Sequence, residues 1–368
     1  MKRTIRIPSS TSSGLRFARW ALLAMMLAAS TASTGRAATV NLNVMTFNIK
    51  FDDGSIGNQF EANGWVVNKF YVPTGNRRDK VEATISSAAP DIFGEQEGLP
   101  NQVTDLKNAF PNYTYYGQGR NGGNGSTSGE TNGIFYLTSR FTEVAEGDFW
   151  LSTTPTVPGT TFVGGGTDTG NPRMVSWIKL YDNQSHQTYF VADTHWSLDT
   201  QAENQSGTFM RTELAQLAGG LPMIVIGDFN TTLPSTALQT LVGATSSGFK
   251  LTDAYRHVYP TVGPNEATFH NFTGNQSGSA IDHIFYTAST FTATAAAIVH
   301  TTYNGLYPSD HFPVTATLQV TVVPEPAAIV MACLAAVGTI GLARGRFSPR
   351  KHGGGSGGSG QKAAGVGQ

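Results

Sequence analysis

A chain of 368 residues with a single Cys must hold itself together through a core rather than a disulfide scaffold. Its formal charge of −1 hides an uneven distribution: six of the 24 Lys and Arg precede residue 39 and five follow residue 343, which leaves 13 basic against 24 acidic residues over 39–323, near −11. Such a body repels polyanions and excludes a protein that grips duplex DNA through a generally basic surface. At the N-terminus, Lys2, Arg3, Arg6, Arg16 and Arg19 lead into the apolar stretch Trp20–Ala29 and then small residues through Ala38. That layout is a secretory signal peptide over 1–38, cleaved between Ser33 and Ala38.

Thr39–Asn48 alternates apolar and polar through Val40, Leu42 and Val44, a strand ending at Asn48. A Gly- and Asn-rich loop, 52–76, precedes Arg77-Arg78, and Val81, Ile85 and Ala88 suit one face of a helix from Arg77 to Ala88 that Pro90 stops. Asp91–Gly98 reads as a short strand with an acidic end, Asn101–Phe110 as a helix and Tyr113–Tyr116 as a strand. Gly117–Thr131 reads as a loop. Further strands are expected at Gly133–Leu137, Met174–Tyr181 and Tyr189–Asp193, the last running out at Thr194-His195-Trp196.

A helix over Glu203–Ala218 leads into Met223-Ile224-Val225-Ile226, an unbroken apolar run that marks a strand covered on both faces. If the backbone stays extended past Gly227, Asp228 and Asn230 share one side. The last strands are expected at Ile281–Tyr286, Thr292–His300 and Val314–Val320. Strands alternating with helices make an α/β pattern, strand-rich enough to need two sheets.

Beyond the body, Val323-Pro324-Glu325-Pro326 precedes an apolar run, 327–343, and then Arg344, Arg346, Arg350 and Lys351. As a helix the run spans roughly 26 Å, marginal for a bilayer, with the basic cluster on the cytoplasmic side. It resembles the PEP-CTERM sorting signal of exported bacterial proteins. That resemblance implies export to the cell envelope or beyond, transient anchorage through the helix, and an exosortase-like processing enzyme as partner. Such signals usually end soon after the arginines, whereas this chain continues in a Gly/Ser-rich tail. The expected organisation is a leader (1–38), a catalytic body (39–320), a sorting segment (321–346) and a flexible tail (347–368).

Polar side chains recur where strands exit: Asn48, Glu97, His195, Asp228 with Asn230, Asp282, and Asp310 with His311. Any one of them alone reads as a turn residue. Together, four carboxylates, two imidazoles and two amides form a set fit for metal-assisted phosphoester chemistry.

The stretches Met45–Ile49, Pro90–Glu97, Asp193–His195, Gly227–Asn230, Ile281–Phe285 and Ser309–Pro313 carry, in order, a resemblance to the endonuclease/exonuclease/phosphatase, or deoxyribonuclease I-like, family. The resemblance implies a four-layer α/β sandwich, two mixed β-sheets face to face with helices outside. It implies a Mg²⁺- or Mn²⁺-dependent hydrolase with Glu97 and Asn48 as metal ligands and Asp310 nearby. His311 would contact phosphate or pass a proton, oriented by Asp282, and Asp228 would orient or deprotonate the attacking water. Asn230 and His195 would touch phosphate, His195 alternatively serving as general acid. Whether Asp228 or His311 is the base stays open. Arg173 matches an arginine of bacterial members, with a plain loop cation as the alternative reading.

Three positions depart from the family pattern: Glu95 for a leucine, Asp193 for an asparagine and His283 for a tyrosine. Asp193 is expected to add negative charge near the phosphate. The expected substrate is a phosphodiester, in nuclease fashion. The alternatives are a phosphomonoester or a phospholipase C- or sphingomyelinase-type substrate, and a catalytically silent matrix module. A monomer is expected. Trp65, Tyr71, Trp150 and Trp196 either stack a base or sugar or pack the interior. Arg77, Arg78, Arg120 and Arg173 are the cations available for a local basic patch.

Overall fold

The computed structural model describes residues 38–52, 64–66, 75–122, 128–162, 170–244 and 248–323. The expected leader up to residue 37, the sorting segment from Pro324 onward, the Gly/Ser-rich tail and Tyr71 lie outside these residues. Among the described residues no helix is long and apolar enough to cross a membrane.

Among the described residues, twelve strands form two six-stranded sheets. The first contains β1 (Thr39–Asn48), β2 (Ile92–Gly98), β3 (Tyr113–Gly119), β4 (Thr131–Leu137), β11 (Phe291–Ile298) and β12 (Val314–Thr321), in the order β11-β12-β1-β2-β4-β3. The second contains β5 (Phe141–Trp150), β6 (Met174–Asp182), β7 (Gln187–His195), β8 (Met223–Asp228), β9 (Thr252–Asp253) and β10 (Asp282–Tyr286), in the order β5-β6-β7-β8-β10-β9. Each sheet has one parallel pair at its centre, β1 with β2 and β7 with β8, flanked by antiparallel neighbours. Helices α1 (Arg77–Ala88) and α2 (Pro100–Ala109) belong to the first half, and α3 (Thr200–Ala218), α4 (Thr236–Val242) and α5 (Ala254–Val258) to the second.

The period of two decides which side chains meet. In β1, Leu42 and Val44 face the other sheet, where Val191 of β7, Ile224 and Ile226 of β8 and Ile284 of β10 meet them in one core. The alternate residues Met45 and Phe47 face outward under Val81 and Ile85 of α1 and Leu106 of α2. Phe190, Val225 and Phe285 face outward under Met210 and Leu214 of α3 and Leu238 of α4. Helix, sheet, sheet, helix is the four-layer sandwich expected.

Helix α3 begins ahead of its apolar stripe because the Asp199 carboxylate caps it, accepting from the N–H groups of Gln201 and Ala202. Strand β5, unforeseen from sequence, is an edge strand with a bulge between Glu143 and Ala145, and only its ends, Phe141, Phe149 and Trp150, are buried. That burial pattern leaves no alternation to read. Trp65, Trp150 and Trp196 are all buried and act as packing, not as stacking platforms.

Candidate active site

Followed to one end, each inward-facing row turns from apolar to polar. Val44 gives way to Asn48, Val191 to His195, Ile226 to Asp228, and Ile284, read backward on an antiparallel strand, to Asp282. His311 stands just before β12, antiparallel to β1, and so joins the same end. The strand ladder thus delivers the polar set to one edge of the sandwich.

Two backbone features aim the side chains. Gly227 has φ +148, and a Cβ there would stand 2.1 Å from the Thr194 carbonyl oxygen, so β7 and β8 approach too closely for any other residue. A bulge between Gln96 and Gly98 leaves Glu97 at φ +66 and turns its carboxylate out of the ladder.

The contacts form a continuous chain. Asn48 Nδ2 donates to Glu97 Oε1 at 3.0 Å and to Asp228 Oδ2 at 2.9 Å. Asp228 Oδ2 lies 3.6 Å from His195 Nε2 and 3.7 Å from His311 Nε2, and His311 Nδ1 donates to Asp282 Oδ2 at 2.9 Å. Ser309 Oγ donates to the Asn48 carbonyl at 2.6 Å and fastens the Asp310-His311 turn to β1. Asn230 departs from the extended expectation: at φ +51 its N–H donates to Asp228 Oδ1 and its Nδ2 to the Trp196 carbonyl, so it braces Asp228 from the turn. Arg173 is buried and its charge acts on both His195 and Glu130. All nine residues singled out from sequence stand in or against this one site.

The charges divide the roles. Burial opposes a charge on His311, but the Asp282 and Asp228 carboxylates outweigh it and push the imidazolium up to about 10. Burial and the Asp282 charge push Asp228 up to about 7. Burial, then Arg173 and Arg120, hold His195 well below the usual imidazole value and keep it neutral at pH 7. Burial would raise Glu97, yet Lys50, the Asn48 amide and His311 hold it below its ordinary value. Asp193 lies in the space between the two sheets. It is fully buried there, where burial first and the Glu95 carboxylate next push it well above the ordinary carboxylate range, while Gln96 Nε2 donates to it at 2.7 Å.

Two residues of the site, Lys50 and Glu130, escaped the sequence reading, and a third, Arg77, figures there only as a cation for a basic patch. Lys50 extends its ammonium to Glu97 Oε2 at 3.5 Å and Asp310 Oδ2 at 3.9 Å. Glu130, at the mouth of β4, accepts from Arg120 at 2.7 Å and lies within reach of Glu97 and His195. Arg77 is buried and donates to the carbonyls of Ile49, Lys50 and Phe51, so it knits the turn after β1 instead of forming a basic patch. Lys50 directly follows a recognised motif, which was a usable signal; Arg77 and Glu130 carry none. Arg78 is spent on Asp79, Glu82 and Asp105.

Among the described residues two groups could hold a cation, Glu97 with Glu130 and His195, and Asp228 with Asp282 and His311, each with ligand atoms within 4.8 Å of one another. Among the described residues, buried Asp282 Oδ1 and His195 Nδ1 have no hydrogen-bond partner. With the Glu97 and Asp310 carboxylates meeting at one ammonium, the donor set is mostly hard oxygen and fits Mg²⁺ or Mn²⁺.

The family model of the endonuclease/exonuclease/phosphatase family matches residues 45–311. The chain belongs to that family. Its members hydrolyse phosphoester bonds, and this protein is a family hydrolase of that kind. No curated protein matches the chain. Among solved structures, it is similar to the family protein of Bacteroides vulgatus, with 29% identity over 76% of this chain and 99% of that one, TM-score 0.64. The mannosyl-6-phosphatase of Bacteroides thetaiotaomicron is 30% identical over 75% of this chain and 99% of its own, TM-score 0.61. The human Nocturnin catalytic domain, 19% identical over 77% and 98% with TM-score 0.58, shares the fold alone.

Proposed function

We propose that this family hydrolase is divalent-metal-dependent and acts on small phosphate esters, with phosphomonoesters of polyols or sugars ahead of nucleic acid. The observation that carries the reading is the run Asp282–His311–Asp228 closing on the Asn48–Glu97 pair within one site. The choice of a small monoester draws support from the acidic body and from the positive charges of Lys50, Arg120 and Arg173 acting at His195, which suit a dianionic phosphate. The phosphatase named above, at 30% identity, points the same way. The nuclease-like diesterase expected from sequence is the second reading. Its support is Phe269, 47% exposed with its ring 5.1 Å from the His311 ring, a face on which a base could stack.

A Mg²⁺ or Mn²⁺ ion held by Glu97 and Asp310 would supply charge neutralisation at the phosphoryl oxygens. Asp282 fixes the His311 ring through Nδ1 and leaves Nε2–H to face the phosphate beside Asp228. Asp228, raised towards neutrality, takes a proton from the attacking water as the water oxygen bonds phosphorus and the ester P–O bond breaks. The departing alkoxide takes its proton from the His311 imidazolium, because the neutral His195 has none to spare and serves as a phosphate contact. Asn48 and Asn230 hold Asp228 in place. The leader-like and sorting-signal-like segments further support export, processing by an exosortase-like enzyme and work in the envelope or outside it.

The test is phosphate or ester release from mannose 6-phosphate, bis(p-nitrophenyl) phosphate, sphingomyelin, RNA and plasmid DNA, with Mg²⁺, Mn²⁺ or EDTA. We expect metal-dependent turnover, fastest on the sugar phosphate. Turnover unaffected by EDTA would refute the metal reading, and plasmid as the best substrate would refute the small-ester reading.

A further inference from the structure

Lys50 sits two residues past Asn48 with its backbone fastened on every side. Its N–H donates to Asn48 Oδ1 at 3.0 Å, and its carbonyl accepts from Gln102 Nε2 at 2.9 Å and Arg77 Nη2 at 2.8 Å. Its φ is +56, a conformation that a residue with a Cβ seldom adopts. The turn is therefore held rigid, and what it holds is the direction of one side chain. The ammonium lies between Glu97 Oε2 and Asp310 Oδ2, 3.5 and 3.9 Å away, and 3.9 Å from the centre of the Phe51 ring.

Those two carboxylates are the pair assigned above to the metal. Without a cation between them they repel, and Glu97 is among the groups that raise Asp310. An ammonium at this distance offsets the repulsion with a single charge. A divalent ion bound to the same oxygens would stand within a few ångströms of that ammonium, closer than two cations tolerate in a part-buried site. Lys50 has a four-carbon flexible stem and a compact head, so it can leave the pair without moving the backbone. The nearest new anion in a loaded site is the substrate's phosphate.

We propose that Lys50 is a tethered competitor of the metal: its ammonium holds the Glu97–Asp310 pair, is displaced when the ion binds, and transfers to the phosphate. Metal and phosphate then bind with positive coupling, each raising the affinity of the other by the same factor. The inference rests on the metal reading of Glu97 and Asp310. It makes Lys50 a positioning residue that couples two ligands and releases metal after the phosphate has gone.

The experiment titrates Mn²⁺ into the full chain by electron paramagnetic resonance and calorimetry, with and without methyl phosphate. The variants are Lys50→Met and Lys50→Arg, each checked for an unchanged melting temperature. Wild type should bind Mn²⁺ about five- to hundredfold tighter with methyl phosphate present, the usual range of a coupling between sites. Lys50→Met should bind Mn²⁺ at least about tenfold tighter than wild type in its absence and lose most of the coupling; Lys50→Arg should keep the coupling. Equal or weaker Mn²⁺ binding by Lys50→Met, or a coupling that survives it, overturns the proposal while the metal reading stands. Absence of Mn²⁺ binding by wild type, or binding indifferent to Glu97→Gln, overturns the metal reading and the proposal with it.

Discussion

Asn48 and Asp228 are separated by 180 residues of chain and joined by a hydrogen bond of 2.9 Å. One ends β1 in the first sheet and the other ends β8 in the second, so the bond closes the seam between the sheets at the point where the cores of both run out. The second donor hydrogen of the same amide reaches Glu97. A single side chain thus sets the spacing between the carboxylate read as a metal ligand and the one read as the base. Asn48→Ala should cut kcat/KM by about 10²-fold or more by loosening that geometry. A kcat/KM within threefold of wild type would show that the seam holds without it.

The charge state of His311 depends on Asp282. In Asp282→Asn the imidazole loses its principal charge partner, its pKa should fall from about 10 toward or below the ordinary 6.5, and kcat should drop by about 10²- to 10⁴-fold. The ring resonance of His311 followed by NMR against pH reads the first effect directly. The double variant with His311→Ala should be no worse than the single ones, because the two residues act as a unit.

Activity should depend on pH with two limbs. Asp228 must be ionised to take a proton, which gives a rise through about 7, and His311 must remain charged, which gives a fall near 10. A kcat/KM profile for a neutral-leaving-group ester between pH 5 and 11 checks both. Asp228→Asn should leave only a residual rate with no acid limb.

The buried acids predict a stability change of the opposite kind to that of paired surface carboxylates. Glu95 is fully buried against Thr131 and Tyr115, and burial pushes it up to about 8. The folded protein therefore keeps a proton that the unfolded chain releases near 4.5, and stability falls as pH rises from about 4.5 to 8, by at most about 1.4 kcal/mol per pH unit for this group. Glu95→Gln should flatten the decline in melting temperature across that window. An unchanged slope would mean that Asp193, whose buried carboxyl is also pushed up, or His311 carries the effect.

Much of this was legible before any coordinates, and the physical reason is the period of two. Once Val44, Val191 and Ile226 are placed inward, Asn48, His195 and Asp228 must follow them to the same face, so motif and strand pattern agree. What the pattern could not show lies where the period breaks. Glu97 is aimed by a bulge, Asn230 by a left-handed turn, and Lys50 by a turn that Arg77 holds from a helix 27 residues further on. Asp193 is another such case: its residue type says acid, but burial between two sheets pushes its carboxyl well up and disfavours the charge.

Salt and substrate length bear on the charge of the surface. The body carries 13 basic and 24 acidic residues, and two of the four arginines that could form a nucleic-acid patch are committed elsewhere, Arg77 to backbone carbonyls and Arg78 to three carboxylates. Arg120 is paired with Glu130, and buried Arg173 stands inside the site. Local charge can therefore hold one phosphate but not track a backbone of many. Long duplex DNA should be a poor ligand at low salt, and the repulsion should weaken as ions screen it. The slope of log K against log [salt] for a 30-base-pair duplex should correspond to about one or two phosphate contacts, with KM for a small ester almost independent of salt. A slope that implies six or more contacts would contradict this, and would mean that cations other than Arg77, Arg78, Arg120 and Arg173 form an extended basic surface.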